Sequence, residues 1–249
     1  MGIAGYINIA QQLGEGMLAT LLIFVLTLVF SMPLGLLVAF ARMSNWAPFG
    51  FFAQQKAVSR AEKGAGRKAS LWLGAFKPVQ FLAKVFISVL RGTPLMLQLL
   101  VVYFAPFYIF DISLSKGYRL IAVILGFSIN YAAYFAEIYR SGIQSVPVGQ
   151  YEAAAVLGYN KYQTFFKIVF PQMVKRILPP VTNEIITLVK DTAMAFVLNY
   201  TEMFTLAKQI AAAKTTIVPL FVAGAFYFVF NAIVAYVMER VEKALSYYR

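Results

Sequence analysis

From Met17 to Ala41 the chain runs 25 residues without a charged side chain, and no other stretch restricts the fold as strongly. The hydrocarbon core of a bilayer is about 30 Å thick, so a helix of about 20 apolar residues crosses it. The backbone finds no water there, and a helix satisfies its own N–H and C=O groups. The run therefore reads as a membrane-spanning helix. Pro33 and Gly35 interrupt it, at a depth where neighbouring helices can satisfy a loosened backbone.

Composition extends that reading to the whole chain. Of 249 residues 61% are hydrophobic and only 13% charged, outside the range of soluble domains. The fold class expected is all-α, a polytopic membrane protein. With no cysteine there are no disulfides, thiolate metal sites or cysteine nucleophiles, and with no histidine the commonest general base and metal ligand is missing. An intramembrane enzyme is therefore disfavoured, and no metal site is expected. The formal charge of +12 reads as basic loops held on the cytoplasmic side of a membrane rather than as a nucleic-acid surface. Met1 to Gly16 carries no basic segment ahead of the apolar run, so the run is expected as a retained span, not a cleaved signal.

Five spans are expected, at about 17–41, 84–110, 119–143, 177–198 and 218–238, in one membrane domain over 1–249. Residues 42–78 carry seven Lys and Arg against a single acid, Glu62, and form a cytoplasmic linker. Its Phe49, Phe51, Phe52 and Trp72 fit either a segment lying on the headgroups or a solvated loop with a few aromatics. Val79–Phe110 is too long for one straight span. Pro94 disfavours the helical region for Thr93, which predicts a bend there and an approach helix leading into the second span. Arg91, at that bend, is either a snorkelling interface anchor or part of a coupling apparatus. Residues 199–215 make an outer connection with room for a short helix. With the amino terminus outside and the carboxyl terminus inside, fifteen Lys and Arg fall in the cytoplasmic segments 42–78, 139–176 and 239–249, and four fall outside.

Two spans carry ordered polar stripes. In the third, Asn130, Tyr134, Glu137 and Ser141 share one narrow face at about 100° per residue, and Glu137 can pair with Arg140 one turn on. In the fourth, Pro179 and Pro180 suit the first turn, and Asn183, Glu184, Thr187, Lys190, Asp191 and Met194 fall within about a third of the circumference. An ionisable group at mid-bilayer costs about 2.5–3.5 kcal/mol, so three in one span need compensation. Lys190 either neutralises an acid on a neighbouring helix or meets a zwitterionic solute, taking its carboxylate while Asp191 or Glu184 takes its ammonium. The six residues of the fourth span, with Tyr134 and Glu137, form the candidate substrate set.

Pro147–Pro171 lies between two spans on the cytoplasmic side and parses as helix, turn, helix. Gly158 supplies a left-handed stop, Asn160 with Gln163 forms a capping box, and Pro171 limits the second short helix. Its residues Glu152-Ala153-Ala154, then Gly158, Ile168 and Phe170-Pro171, resemble the EAA signature of permease subunits of ABC-type importers, with Phe170 where that family usually has leucine. The resemblance extends over Arg91-Gly92-Thr93-Pro94-Leu95, Ala136 to Gln150, and Leu178-Pro179-Pro180 through Lys190-Asp191-Thr192, in the manner of the polar amino acid uptake branch.

The resemblance implies an importer of polar or charged amino acids in a bacterial or archaeal plasma membrane. Its partners would be a second permease subunit, an ATP-binding cassette ATPase dimer and an extracytoplasmic solute-binding protein. The hairpin would be the coupling loop: Glu152 bonds the ATPase or caps a helix, Ala153 and Ala154 let a helix sit deep in its groove, and Gly158 sets the hairpin angle. No Gly-x-x-x-x-Gly-Lys-Ser/Thr loop occurs in the chain, so ATP and Mg are expected on the partner ATPase, with no cofactor here. The alternative from another class is an ion-coupled secondary carrier that uses Glu137, Glu184, Lys190 and Asp191 as proton sites. Against it, no inverted repeat is evident.

Overall fold

The computed structural model describes residues 3–44, 77–115 and 117–245, all helix and connection with no strand among them. The first helix, α1 (Ile3–Met43), is 41 residues long, about 60 Å, and begins well ahead of the expected span. Tertiary packing holds that extension. Ile9 and Leu13 are buried in a second apolar cluster with Met203, Ala207, Ile210 and Ala223, far along the chain.

After the linker come α2 (Pro78–Gly92) and α3 (Leu95–Phe110), bent against each other by 113°. The stretch expected as a span at 84–110 is thus divided where Pro94 predicts a bend. Thr93 adopts φ −121°, ψ 149°, the extended conformation that a following proline favours. The break frees backbone carbonyls, and the side-chain amides of half-buried Gln98 and buried Asn130 claim them. Gln98 donates to the carbonyls of Leu90 (2.8 Å) and Thr93 (3.1 Å). Asn130 donates to Gln98 Oε1 at 2.9 Å and to the Leu90 carbonyl at 3.3 Å, so this residue of the third-span stripe braces the bend.

The central helix is α4 (Tyr118–Gln144), which buries Phe127, Tyr131, Phe135 and Tyr139 among the other helices. Two short helices follow, α5 (Val148–Val156) and α6 (Lys161–Thr164), and then a π-helical turn at Phe165–Val169 that runs into α7 (Phe170–Asp191). Two expectations are corrected here. Pro171 does not limit the second short helix but sits in the first turn of α7, where its missing N–H has no intrahelical partner to lose. Pro179 and Pro180 lie inside α7, not in its first turn. Both are exposed, and Pro180 faces a cavity where water can reach the carbonyls they leave free.

Beyond Asp191 the fourth expected span tightens into a 3₁₀ helix, Thr192–Leu198, stopped by Asn199 in the left-handed region at φ 51°. The outer connection then forms α8 (Met203–Ala213). Its cap is Glu202, fully buried, whose carboxylate accepts from the backbone N–H of Phe204 and of Thr205 at 2.7 Å each, from Thr205 Oγ1 at 2.8 Å and from the Tyr227 hydroxyl at 3.0 Å. Burial pushes the Glu202 carboxyl above the usual carboxylate range, and those four hydrogen bonds pull it back. The last helix is α9 (Val218–Leu245).

Among the described residues three helices are long and apolar enough to cross a membrane, within Tyr6–Met43, Tyr118–Gln144 and Val218–Leu245, and the bent pair α2–α3 is a fourth if taken as one span. The remaining span expected from sequence falls on α7. Its stripe of Asn183, Glu184, Thr187, Lys190 and Asp191 makes it too polar to qualify by composition. The linker 42–78, with Phe49, Phe51, Phe52 and Trp72, lies outside the described residues except at 42–44 and 77–78.

Candidate functional site

A cavity of about 400 Å³ opens where the C-terminal half of α4 faces α7, with Arg91 of α2 reaching into it. Every charged group among the described residues that line it is an arginine or a glutamate: Arg91, Glu137, Arg140, Arg176 and Glu184. Several of these are already committed. Glu137 Oε2 accepts from Arg140 Nε at 2.9 Å and Nη2 at 2.6 Å, and Glu137 Oε1 faces Arg42 Nε at 3.5 Å. Arg140 also donates to Gln144 Oε1 at 2.6 Å. This cluster fastens the end of α1 to α4, and the pairing of Glu137 with Arg140 weighed in the sequence is present. Arg176 donates to the Ser145 carbonyl and closes the end of α4.

Two charges remain uncommitted. Arg91 lies over the Tyr134 ring, 5.2 Å from its centre, and makes no ion pair among the described residues. Glu184 is half-buried and has no hydrogen-bond or ion-pair partner among them either. The cavity therefore offers one unpaired guanidinium and one unpaired carboxylate, beside an aromatic wall. That is the complement of a zwitterion, with a long-range attraction between Arg91 and Glu184 while nothing lies between them.

The candidate substrate set divides. Tyr134, Glu137 and Glu184 line this cavity. Asp191 does not; it accepts a hydrogen bond from the buried Tyr131 hydroxyl at 2.8 Å, a tie between α4 and α7. Thr187 donates back to the Asn183 carbonyl at 2.9 Å, Asn183 and Lys190 lie exposed on α7, and Met194 lies exposed on the 3₁₀ helix that follows it, all outside the cavity. The structure brings Lys190 into no ion pair among the described residues. Sequence reasoning missed Arg176. Its signal was present: Arg176, Pro180 and Glu184 recur at four-residue spacing, one face of a helix. Starting that helix at 177 hid it.

The hairpin is built as its sequence suggests. Gly158 has φ 75°; its N–H bonds the Ala155 carbonyl at 3.0 Å, and the Tyr159 N–H bonds the Ala154 carbonyl at 3.0 Å, the Schellman arrangement that ends α5. The capping box at α6 is reciprocal, Gln163 N–H to Asn160 Oδ1 at 2.9 Å and Asn160 N–H to Gln163 Oε1 at 3.0 Å. Glu152, Ala153 and Gly158 are exposed, whereas Ala154 is fully buried against its own chain. Of the two alanines expected to meet a partner, only Ala153 is open to one. Val156 is 88% exposed and Leu157 70%, so the tip presents apolar surface that nothing among the described residues covers.

The sequence pattern of a family described as binding-protein-dependent transport system inner membrane component matches residues 69–247. The L-cystine transport system permease protein TcyB of Bacillus subtilis (strain 168) is 29% identical over 238 residues, 95% of this chain and 87% of that protein. The arginine transport system permease protein ArtQ of the same organism is 31% identical over 233 residues, 93% of this chain and 91% of that one. In the crystal structure of an amino acid ABC transporter with histidines, one chain superimposes with a TM-score of 0.77 at 26% identity, covering 98% of this chain and 99% of that chain.

Proposed function

We propose, from the premise that this chain belongs to the family of binding-protein-dependent transport system inner membrane components, that it is the permease subunit of an ATP-driven importer moving polar or charged amino acids into the cytoplasm. The observation that carries the reading is the hairpin: a rigidly capped pair of short helices with an uncovered apolar tip, projecting on the side that holds most of the basic residues. A helix end fixed at both caps and bare at its tip is suited to docking in the groove of a partner. In this reading the partner is an ATPase dimer that carries ATP and Mg. A second permease subunit, identical or similar, meets the exposed stripe Asn183, Lys190 and Met194. A solute-binding protein delivers the amino acid from outside, and the assembly sits as a multi-pass complex in a bacterial plasma membrane.

Mechanistically, nucleotide closes the ATPase dimer, the docked hairpin moves with it, and the helices exchange between packings that open the cavity to one side or the other. This chain's own residues bind and orient. Arg91 takes the amino acid carboxylate, Glu184 its ammonium, and Tyr134 walls the path. The Arg42–Glu137–Arg140 cluster keeps the inner end of α1 moving with α4, since removing one member of a mostly buried ion cluster leaves the others uncompensated.

Two measurements test this. In proteoliposomes holding the complete transporter, uptake is expected to persist when an uncoupler collapses the proton gradient while ATP is maintained; uptake that stops with the gradient identifies an ion-coupled carrier instead. Second, Arg91→Gln and Glu184→Gln should each raise KM for the amino acid about ten- to a hundredfold, since a hydrogen bond to a charged group contributes about 1.5–3 kcal/mol. The rate at saturation should change little. An unaltered KM in both variants removes the cavity from the substrate path.

A further inference from the structure

A second cavity, of about 490 Å³, lies between the inner end of α1 and the hairpin and plays no part in the transport reading. Its apolar walls are Phe40 and Met43 from α1, Ile143 from α4, Ala155 from α5 and Phe165 from the π turn. The size is within the roughly 300–1,000 Å³ of small-molecule sites. No carboxylate lines it among the described residues. A single cation does, Lys161 at the start of α6, and beside it Lys167 Nζ stands 5.5 Å from the centre of the Tyr159 ring, itself part of the wall. Neither lysine is in an ion pair among the described residues.

The surroundings say which solvent this cavity meets. Phe40 and Phe165 pack at 6.2 Å between ring centres across the mouth, and an aromatic series continues along the surface through Phe166 and Phe170, with Tyr162 beside it, all exposed. Leu37, one turn before Phe40 on α1, is exposed as well. An amphipathic ring such as that of Tyr162 favours headgroup depth, and apolar rings such as those of Phe166 and Phe170 favour the adjoining acyl boundary. The basic residues put this face on the cytoplasmic side, where the leaflet carries anionic lipid. An apolar slot at headgroup depth, with one ammonium group in its wall, a second over the adjoining Tyr159 ring and no acid among its described lining residues, matches one kind of molecule in both halves.

We infer that this cleft binds one anionic phospholipid from the inner leaflet, its acyl chain among Phe40, Met43, Ile143 and Phe165 and its phosphate at Lys161 and Lys167. A neutral zwitterionic lipid offers the same chain but a headgroup whose own ammonium competes with the lysines. The site discriminates by charge, and it places a lipid between α1 and the hairpin, so that the mobility of the hairpin depends on membrane composition.

The test uses the full-length chain, with whatever partners it retains on purification, in nanodiscs of phosphatidylcholine doped with a photoactivatable phosphatidylglycerol or a phosphatidylcholine bearing the same diazirine acyl chain. Adducts are mapped by peptide mass spectrometry. The expected result is phosphatidylglycerol adducts concentrated on residues 40–43, 143 and 151–165, in clear excess over phosphatidylcholine there and not elsewhere. Lys161→Gln with Lys167→Gln should lower the phosphatidylglycerol signal about fivefold per lysine, the equivalent of the ~1 kcal/mol that each basic side chain gains beside an anionic surface. Ala155→Phe, which fills the slot, should remove it for both lipids. Equal labelling by the two lipids in the wild-type chain overturns the proposal without recourse to any variant. So does an absence of adducts at this site, which means that protein fills the cleft.

Discussion

Gly35→Leu should leave no well-folded protein to assay. The crossing of α1 over α4 at this point is closer than a side chain allows: a Cβ on residue 35 would come within 2.7 Å of Phe135 Cβ, 3.0 Å of the Ala132 carbonyl oxygen and 3.3 Å of the Ala136 N. Two of those three atoms are backbone, so no rotamer change relieves the contact and the helices must separate. Around it the packing is built from small residues at four-residue spacing, Thr27, Ser31, Gly35 and Ala39 on α1 against Ser128, Ala132 and Ala136 on α4. Helices in lipid gain little from hydrophobicity and associate through such close backbone approach.

Overpacking by a single methylene or two costs roughly 1–3 kcal/mol even where side chains can yield, and a leucine set against backbone should exceed that range. Fluorescence-detected size exclusion in mild detergent is the check. Gly14→Leu serves as control, because a Cβ there meets nothing within 4 Å. Gly35→Leu should aggregate or vanish while the control elutes with wild type; matching profiles would mean that α1 does not cross α4 here.

How much of this was legible before the structure depended on whether the signal was local. The turn at Gly158, the reciprocal Asn160 and Gln163 caps and the bend before Pro94 each follow from a few adjacent residues, and each is present. The extension of α1 back to Ile3 was not legible, because its support comes from Met203 and Ala207 nearly two hundred residues on. Prolines misled twice, at Pro171 and at Pro179–Pro180. The same ring that ends one helix begins another, and the π turn at Phe165–Val169 that joins the hairpin to α7 leaves no mark in periodicity. For the cavity, the stripe on α7 identified Glu184, but a stripe fixes only an angle about one helix axis. It could not say that Asp191 is held by Tyr131 or that Arg91 reaches in from a helix bent by 113°.

Gly158→Val should produce the opposite failure: a protein that inserts, assembles and elutes normally but transports poorly. Nothing lies within 4 Å of a Cβ at residue 158, so no packing is lost. The difficulty is the backbone, at φ 75°, where an L-residue costs about 1–2 kcal/mol and a β-branched one has the least room. The strain is relieved by unwinding the Schellman turn, which releases the Gly158–Ala155 and Tyr159–Ala154 hydrogen bonds and with them the angle between α5 and α6. A cost of that size shifts the equilibrium between the native and the unwound turn by about five- to thirtyfold, and a hairpin with no fixed angle transmits little of its partner's closure.

Substrate-driven uptake is therefore expected to fall by about an order of magnitude while ATP hydrolysis by the assembled complex persists. Gly158→Asn separates this cause from mere bulk. Asparagine tolerates the left-handed region far better than valine at greater polarity and similar volume, and should restore much of the uptake. If Val and Asn impair transport equally, the conformation at residue 158 is not what coupling requires; if neither does, the hairpin is not the lever.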